Sequence, residues 1–300
     1  MKNISIETGD LFHDLWKNLN DDQFIDSINL IKKRFKINNF KDKNFKNKIV
    51  LDVGCGSGRW CVLASLLKAK KVIGIDSSKK NINYNKKKFI KYSNIYFKYG
   101  ESAKLKIKNN FSDITISYGV AHHTVDMFKS INELIRVTKK GGIILLLVYG
   151  DGGFRWNLIK KLRPIAAIIG KNNMINCMKK SKLPANNIKH FVDDFFVPIQ
   201  LQTNLDHLLN FLQYKTLKTK VWNKYKTLDQ EENIESYLKD IYKIKNFFNY
   251  IKNNTLKKLS LKIINSYLKE INVIKNSKLS VKKKRFLIIG EGNHRLEIIK

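Results

Sequence analysis

Three hundred residues with 43% hydrophobic content suffice for one large globular domain, or a domain with a sizeable insertion, around a real core. Three cysteines without a CxxC pair argue against a disulfide framework or a zinc site, and the longest apolar run, residues 143–149, is far too short to span a bilayer. The net charge of +33 is the outlier, yet it is spread evenly: 28 Lys+Arg against 13 Asp+Glu in residues 1–150, and 30 against 12 in residues 151–300.

Of the 58 basic residues only 7 are Arg. Arg is the better fork for phosphate, so phosphate recognition should enrich it. Lys, Asn and Ile all have A/T-rich codons, so the expectation is a solvated basic surface ahead of a nucleic-acid or acidic-membrane partner. The N-terminus, MKNISIETGDLFHDLW, has no apolar signal core, and a cytoplasmic protein is expected.

The chain opens with a helical preface over residues 1–48. Leu11, Phe12, Leu15, Trp16 and Leu19 predict one helix over residues 10–19, and Phe24, Ile28, Ile31 and Phe35 a second over 21–35. From Ile49 strand and helix alternate. Strands are predicted at 49–53, 71–75, 95–99, 113–117 and 143–149, with helices at 59–67, 79–91 and 128–138 between them. The face of the 79–91 helix is read as Ile82, Tyr84, Phe89 and Ile90, and Lys139–Gly142 as a helix stop. Such alternation means a parallel sheet covered on both faces, with its ligand at the carboxyl ends of the strands.

After Tyr149 the pattern changes. A glycine loop, 150–153, leads to helices at 154–171 and 173–182, interrupted at Pro164 and Pro184. Residues 193–198 (DDFFVP) read as loop, 205–212 as a short helix and 215–222 as a strand. A Lys/Asn-rich helical stretch covers 231–274. Residues 285–289 and 296–299 flank GEGNHR as a closing hairpin, or as one strand plus a functional loop. No fixed-period repeat is present.

The stretch IVLDVGCGSGRW (49–60) organises the rest. A buried β-branched strand ends in Asp52 and in Gly54, Gly56 and Gly58, which let a backbone turn tightly and approach a ligand. The spacing GCGSG departs from the dinucleotide fingerprint GxGxxG. With VIGIDSS (72–78), FSDITISYGVAHHTVD (111–126) and INELIRVTKKGGIILLLVYG (131–150), the chain resembles the class I S-adenosylmethionine-dependent methyltransferases over about residues 48–150. VYGDGGFRW, DDFFVPIQLQT and GEGNHR are similar to a branch of that family with an HHT loop and VYGxGG after the fifth strand.

The resemblance implies a Rossmann-like α/β fold: a mostly parallel seven-stranded sheet with helices on both faces and helical additions at both ends. It divides into an N-terminal cap (1–48), a cofactor-binding core (49–150), a helical insertion forming a substrate cap (151–212), and the end of the sheet with a helical insertion (213–300). The implied cofactor is S-adenosyl-L-methionine. Asp52 would pair its ammonium beside the loop of Gly54, Cys55, Gly56 and Gly58. Asp76, followed by Ser77, would accept two ribose hydroxyls, as one carboxylate can. Glu101 falls near the adenine amino group, with Glu where the family usually has Asp, and Ser102 at the adenine edge. Ser117–Val120, with Tyr118 among them, would run beside the transferable methyl.

His122 and His123 can take a proton from an acceptor, or simply hold their loop. Adjacent residues point apart, so the pair makes no metal site, and no metal is expected. Phe154, Arg155, Trp156, Asp193, Asp194, His294 and Arg295 are nominated for the acceptor, with the two arginines suited to an anion or to salt bridging. The reading is a methyltransferase of a small-molecule or glycan-type acceptor, O- or C-methylating because no NPPY-like motif follows the fourth strand. The alternatives are an RNA or protein methyltransferase using the basic surface, and an inactive cofactor-binding module.

Overall fold

The structure is a computed structural model that describes residues 4–17, 20–222 and 234–300. Leu19, the last apolar position of the first expected helix, and residues 231–233 of the Lys/Asn-rich stretch lie outside the described residues.

The preface is α1 (Ile4–Trp16) and α2 (Asp21–Ile37). The first helix therefore starts and ends earlier than its apolar spacing suggested. A capping box at α2, with Asn20 accepting from the Gln23 amide at 2.8 Å, fixes where the second begins. Then follow β1 (Ile49–Val53), α3 (Arg59–Leu66), β2 (Lys71–Asp76), α4 (Lys79–Lys88), β3 (Ile95–Tyr99), β4 (Ser112–Tyr118), α5 (Met127–Val137) and β5 (Thr138–Tyr149). The Lys139–Gly142 stretch does not close α5. The helix ends at Val137, and these residues begin the long strand β5, which bulges where Ser112 and Ile114 of β4 pair with it.

After β5 come α6 (Phe154–Ile169), α7 (Lys171–Lys180), α8 (Ala185–Phe196), α9 (Leu205–Tyr214), β6 (Lys218–Val221), α10 (Ile234–Phe248), α11 (Asn254–Asn276), α12 (Val281–Ile289) and β7 (Asn293–Ile299). Three expectations fail here. Pro164 sits inside α6 and does not divide it. The cost of a mid-helix proline, about 3 kcal/mol, is outweighed by burying Leu158, Ile159, Leu162, Ile165 and Ala166, each large side chain contributing about 1.5–3 kcal/mol. The DDFFV stretch continues α8 because Asp194 and Phe195 face inward. The FLII run is helix, not strand: Ser280 caps its start and Gly290 (φ +73°) ends it, so GEG joins a helix to β7, which NHR begins.

The chain forms two compact units. The first comprises the described residues of 1–149, 198–227 and 293–300, the second those of 150–197 and 228–292. The boundaries differ from the four expected segments, because the chain leaves the sheet after β5, returns for α9 and β6, and leaves again before β7.

In the first unit all seven strands form one sheet in the order β3-β2-β1-β4-β5-β7-β6, parallel from β3 to β5, with β7 antiparallel to β5 and β6. Alternate residues feed two cores. Val50, Ile114, Ile116 and Leu145 meet Phe24, Ile28, Ile31, Phe35 and Trp60 on one face. Leu51, Val53, Ile144, Leu146, Val148, Leu296 and Ile298 meet α5 and α9 on the other. The order reverses between β1 and β4, which puts the crevice for a ligand beyond their carboxyl ends. The second unit is helical, packed on fully buried side chains such as Leu158, Met178, Phe247, Phe248 and Ile264. Among the described residues no helix is long and apolar enough to cross a membrane.

Candidate active site

The loop after β1 is built by its glycines. Gly54, Gly56 and Gly58 all have positive φ (78°, 47° and 78°), and the Ile75 carbonyl takes both the Gly54 and Cys55 amides, at 2.7 and 2.9 Å. A Cβ on Gly54 would lie 2.4 Å from Val120, whereas one on Gly56 would meet nothing within 4 Å. The turn is thus tight on one side and open on the other, the form of a cradle that lets a ligand touch backbone. Cys55 and Cys61 are buried, and Cys55 is pushed up to about 11, so neither thiol is reactive at neutral pH.

Asp52 is 2% exposed at the end of β1 and accepts one hydrogen bond, from the Cys61 thiol at 3.3 Å. Burial pushes it up to about 7, and no lysine or arginine lies within ion-pair distance among the described residues. A carboxylate desolvated without a counter-ion is what a ligand ammonium would complete.

Asp76 at the end of β2 is also buried, which raises its pKa, but it is well bonded. One oxygen accepts from the Gly56 amide at 2.8 Å, the other from the Ser78 amide at 2.8 Å and the Asn81 side chain at 3.3 Å. It ties the glycine loop to the start of α4 and keeps part of its acceptor capacity, about four lone-pair directions in all. The residues present therefore fit an ammonium-bearing, dihydroxylated ligand: an incomplete carboxylate, an open glycine cradle and a second carboxylate one strand over.

Around these lie residues that sequence reasoning missed. Asn85 donates to the Gly56 carbonyl at 2.7 Å, and Asn81 bonds both Asp76 and His13. The signal was available: two asparagines at i,i+4 on the buried face of α4, whereas Ile90 lies past the helix end and is 84% exposed. Helix α1 lies over this start of α4. The Ser77 hydroxyl donates to the Ser5 carbonyl at 2.7 Å, and the Ser78 hydroxyl to Asp10 at 2.6 Å. Gly9 passes so close that a Cβ would stand 3.0 Å from both serines.

Glu101 follows β3 and bridges Lys104 through the backbone, with Ser102 bonded to Ser130 at 3.3 Å. Tyr118 closes β4, its ring 5.0 Å from Trp60. His122 and His123 form a 3₁₀ turn and separate in role. The His123 Nδ1 bonds the Ile199 carbonyl at 2.9 Å, so it holds the 198–204 return segment. His122 is fully buried, stacked on Tyr149 at 3.8 Å, and neither ring nitrogen has a hydrogen-bond partner. Burial holds it well below the usual range, with the His123 charge adding to the effect. No group of His, Cys, Asp and Glu among the described residues could hold a metal ion.

The acceptor nominees separate. His294 and Arg295 are adjacent on β7 and point to opposite faces, with His294 bonded to the Thr203 carbonyl at 2.9 Å. Phe154, Arg155 and Trp156 belong to the second unit. There Arg155 pairs with Asp194 and, at 3.7 Å, with Asp240, and Phe154 packs on Tyr267. Arg155 is thus the half-buried centre of an ion-pair network inside that unit, and Asp193 precedes the acid it holds.

Residues 44–211 match a family described as a methyltransferase domain. Among curated proteins the chain is similar to a demethylmenaquinone methyltransferase of Staphylococcus saprophyticus, 34% identical over 36% of this chain and 47% of that one. It is also similar to a ubiquinone biosynthesis O-methyltransferase of Pelagibacter ubique, 37% identical over 38% and 47%. A ubiquinone/menaquinone biosynthesis C-methyltransferase of Campylobacter jejuni is 34% identical over 42% and 59%. The chain spans about half the length of the curated relatives it matches.

Proposed function

The chain belongs to the methyltransferase-domain family, and from that premise we propose that it transfers a methyl group from S-adenosyl-L-methionine to a small-molecule acceptor. The observation that carries the cofactor assignment is Asp52, a buried carboxylate beside an open glycine cradle with no cation in ion-pair distance among the described residues. Relatives named for quinone biosynthesis, by both O- and C-methylation, support a small-molecule acceptor over the glycan, RNA and protein alternatives.

When bound, S-adenosylmethionine supplies a methyl already activated by its sulfonium. The chain's own residues then have these roles. Asp52 holds the ammonium, the loop from Gly54 to Gly58 lies along the methionine part, and Asp76 accepts from the ribose hydroxyls, with Ser77, Glu101 and Ser102 toward the adenine. Tyr118 lines the side of the transfer. His122, neutral because it is buried, is the group able to accept a proton from an acceptor hydroxyl, while His123 fixes the loop that presents it. Alignment and exclusion of water do much of the remaining work.

Calorimetry with S-adenosylhomocysteine tests the cofactor assignment. Binding is expected, and Asp76→Ala should weaken it by roughly 1–3 kcal/mol, the worth of hydrogen bonds to a charged group. No binding by the wild-type chain would sink the reading. Transfer of labelled methyl into a fractionated extract, into a small-molecule fraction and not RNA or protein, tests the acceptor class.

A further inference from the structure

Arginine is scarce in this chain, yet three of the 7 arginines lie close to one face of the sheet in the first unit. The register sets Tyr118 of β4 beside Leu147 of β5, and Leu147 beside Arg295 of β7. All three lie on the face of Ile116 and Leu145, because Leu296 and Ile298 belong to the opposite core. Asp52 on β1 shares that face through its neighbour Val50 and pairs with Ile116, one pleat before Tyr118, so a row of Tyr118, Leu147 and Arg295 runs across three strands with Asp52 two residues short of it on the fourth. Three inter-strand steps of about 4.8 Å and a two-residue offset of about 6.6 Å set Asp52 about 16 Å from Arg295. Leu147 is shorter than the Tyr and Arg on either side of it. Above the row, the Arg34 guanidinium lies 6.0 Å from the Tyr118 ring. Arg59, at the start of α3, is within electrostatic reach of Arg34, Asp52 and Tyr118.

The row is rich in donors that have nothing to bond. Arg295 is 5% exposed, and its Nε and Nη1 have no partner. Trp60 is 4% exposed with its Nε1 likewise unpartnered, and the Tyr118 hydroxyl is buried and unbonded. No carboxylate compensates Arg295 among the described residues. Glu297, the acid two residues along the same face, is taken by the Trp222 indole at 3.1 Å and by Lys220 at 3.6 Å. A guanidinium stripped of water without a counter-ion is costly, and chains retain one where a ligand supplies the anion. Its fork suits an oxyanion.

We propose that the methyl acceptor carries an oxyanion, a carboxylate or a phosphate, bound by Arg295 with the Tyr118 hydroxyl donating beside it and Arg34 and Arg59 adding to the positive field. The assignment rests on the methyltransferase reading. It places the acceptor over Leu147, between the acid that would hold the donor's ammonium and the arginine that holds the acceptor's charge.

The test uses the full chain saturated with S-adenosylhomocysteine, with binding of that ligand measured first, since its failure rejects the methyltransferase reading alone. Benzoate and inorganic phosphate are then titrated at constant ionic strength, with thermal unfolding as the readout. One of the two is expected to raise the midpoint of the wild type, which separates the carboxylate from the phosphate source. Arg295→Met should reduce that affinity at least tenfold, and Arg295→Lys should retain part of it. Without ligand, Arg295→Met should be at least as stable as wild type, because it removes an uncompensated charge at similar volume. The proposal is overturned if neither anion binds the wild type, if both bind Arg295→Met equally well, or if Arg295→Met is destabilised without any anion effect in the wild type.

Discussion

The carboxylate of Asp52 accepts one thiol bond and has no cation within ion-pair distance among the described residues, so its ionisation ties the site to pH. Its folded pKa, about 7, lies above its ordinary 3.8. The native state therefore holds a proton that the unfolded chain has lost. Stability from this group is full below pH about 4 and falls as pH rises to about 7, by a few kcal/mol. Asp52→Asn should flatten that slope: the difference in urea midpoint between wild type and variant should grow from pH 5 to pH 8 in favour of the variant. Affinity for S-adenosylhomocysteine should rise over the same interval in the wild type, as the carboxylate becomes available to an ammonium, and a flat profile would remove Asp52 from the site. His122 gives a second residue-level expectation. Its nitrogens are unpartnered while His123 is bonded to Ile199. His122→Gln should slow turnover about 10²-fold or more while leaving S-adenosylhomocysteine affinity intact. Unchanged turnover would leave alignment as the whole of the catalysis. The sequence offered the two histidines as equals, because which of them bonds a carbonyl 76 residues away is decided by the return of the chain.

At the scale of elements, the β1 loop and the start of α3 were legible because local chemistry and tertiary role coincide there. Gly58 is the start of α3 in a left-handed conformation, and a Cβ on it would meet Phe89 at 2.7 Å. Glycine is demanded twice over, by backbone and by packing. Helix α1 is the opposite case. It buries only Thr8, Gly9 and Leu11, and polar contacts to α4 hold much of the rest: Ser5 to Ser77, Asp10 to Ser78 and Lys80, His13 to Asn81. A helix of 13 residues has little stability of its own. Asp10→Ala should weaken its docking by about 0.5–1.5 kcal/mol, seen as faster hydrogen exchange in α1 with α5 unaffected. Equal protection in both proteins would show that apolar contacts hold the helix. The elements misread after Tyr149 have a common cause. Pro164, DDFFV and FLII each carry a local signal against helix, and in each the burial of one face, or the Arg155–Asp194 pair, outweighs it.

For the whole molecule, the +33 charge is the dominant global term. With 25 acids among 58 bases, few of the lysines can find partners, and self-repulsion opposes the compact state. Raising sodium chloride from 20 to about 300 mM shortens the screening length below about 10 Å and should raise the thermal midpoint. A midpoint that falls with salt would mean that ion pairs outweigh repulsion. The sequence by itself determined the parallel core of the sheet, the glycine loop after β1 and the two acids Asp52 and Asp76 that close their strands. Each rests on a pattern within a few residues: β-branched runs, glycines at alternate positions, an acid closing a strand. Only the tertiary structure decided the rest: which histidine is tied down, that Arg155 is consumed by an ion pair within its own unit, and that Arg295 shares a sheet face with Tyr118 while His294 does not. Those outcomes depend on strand register and on pairings between residues 39 to about 150 positions apart, and no local spacing encodes which partner a charged side chain meets.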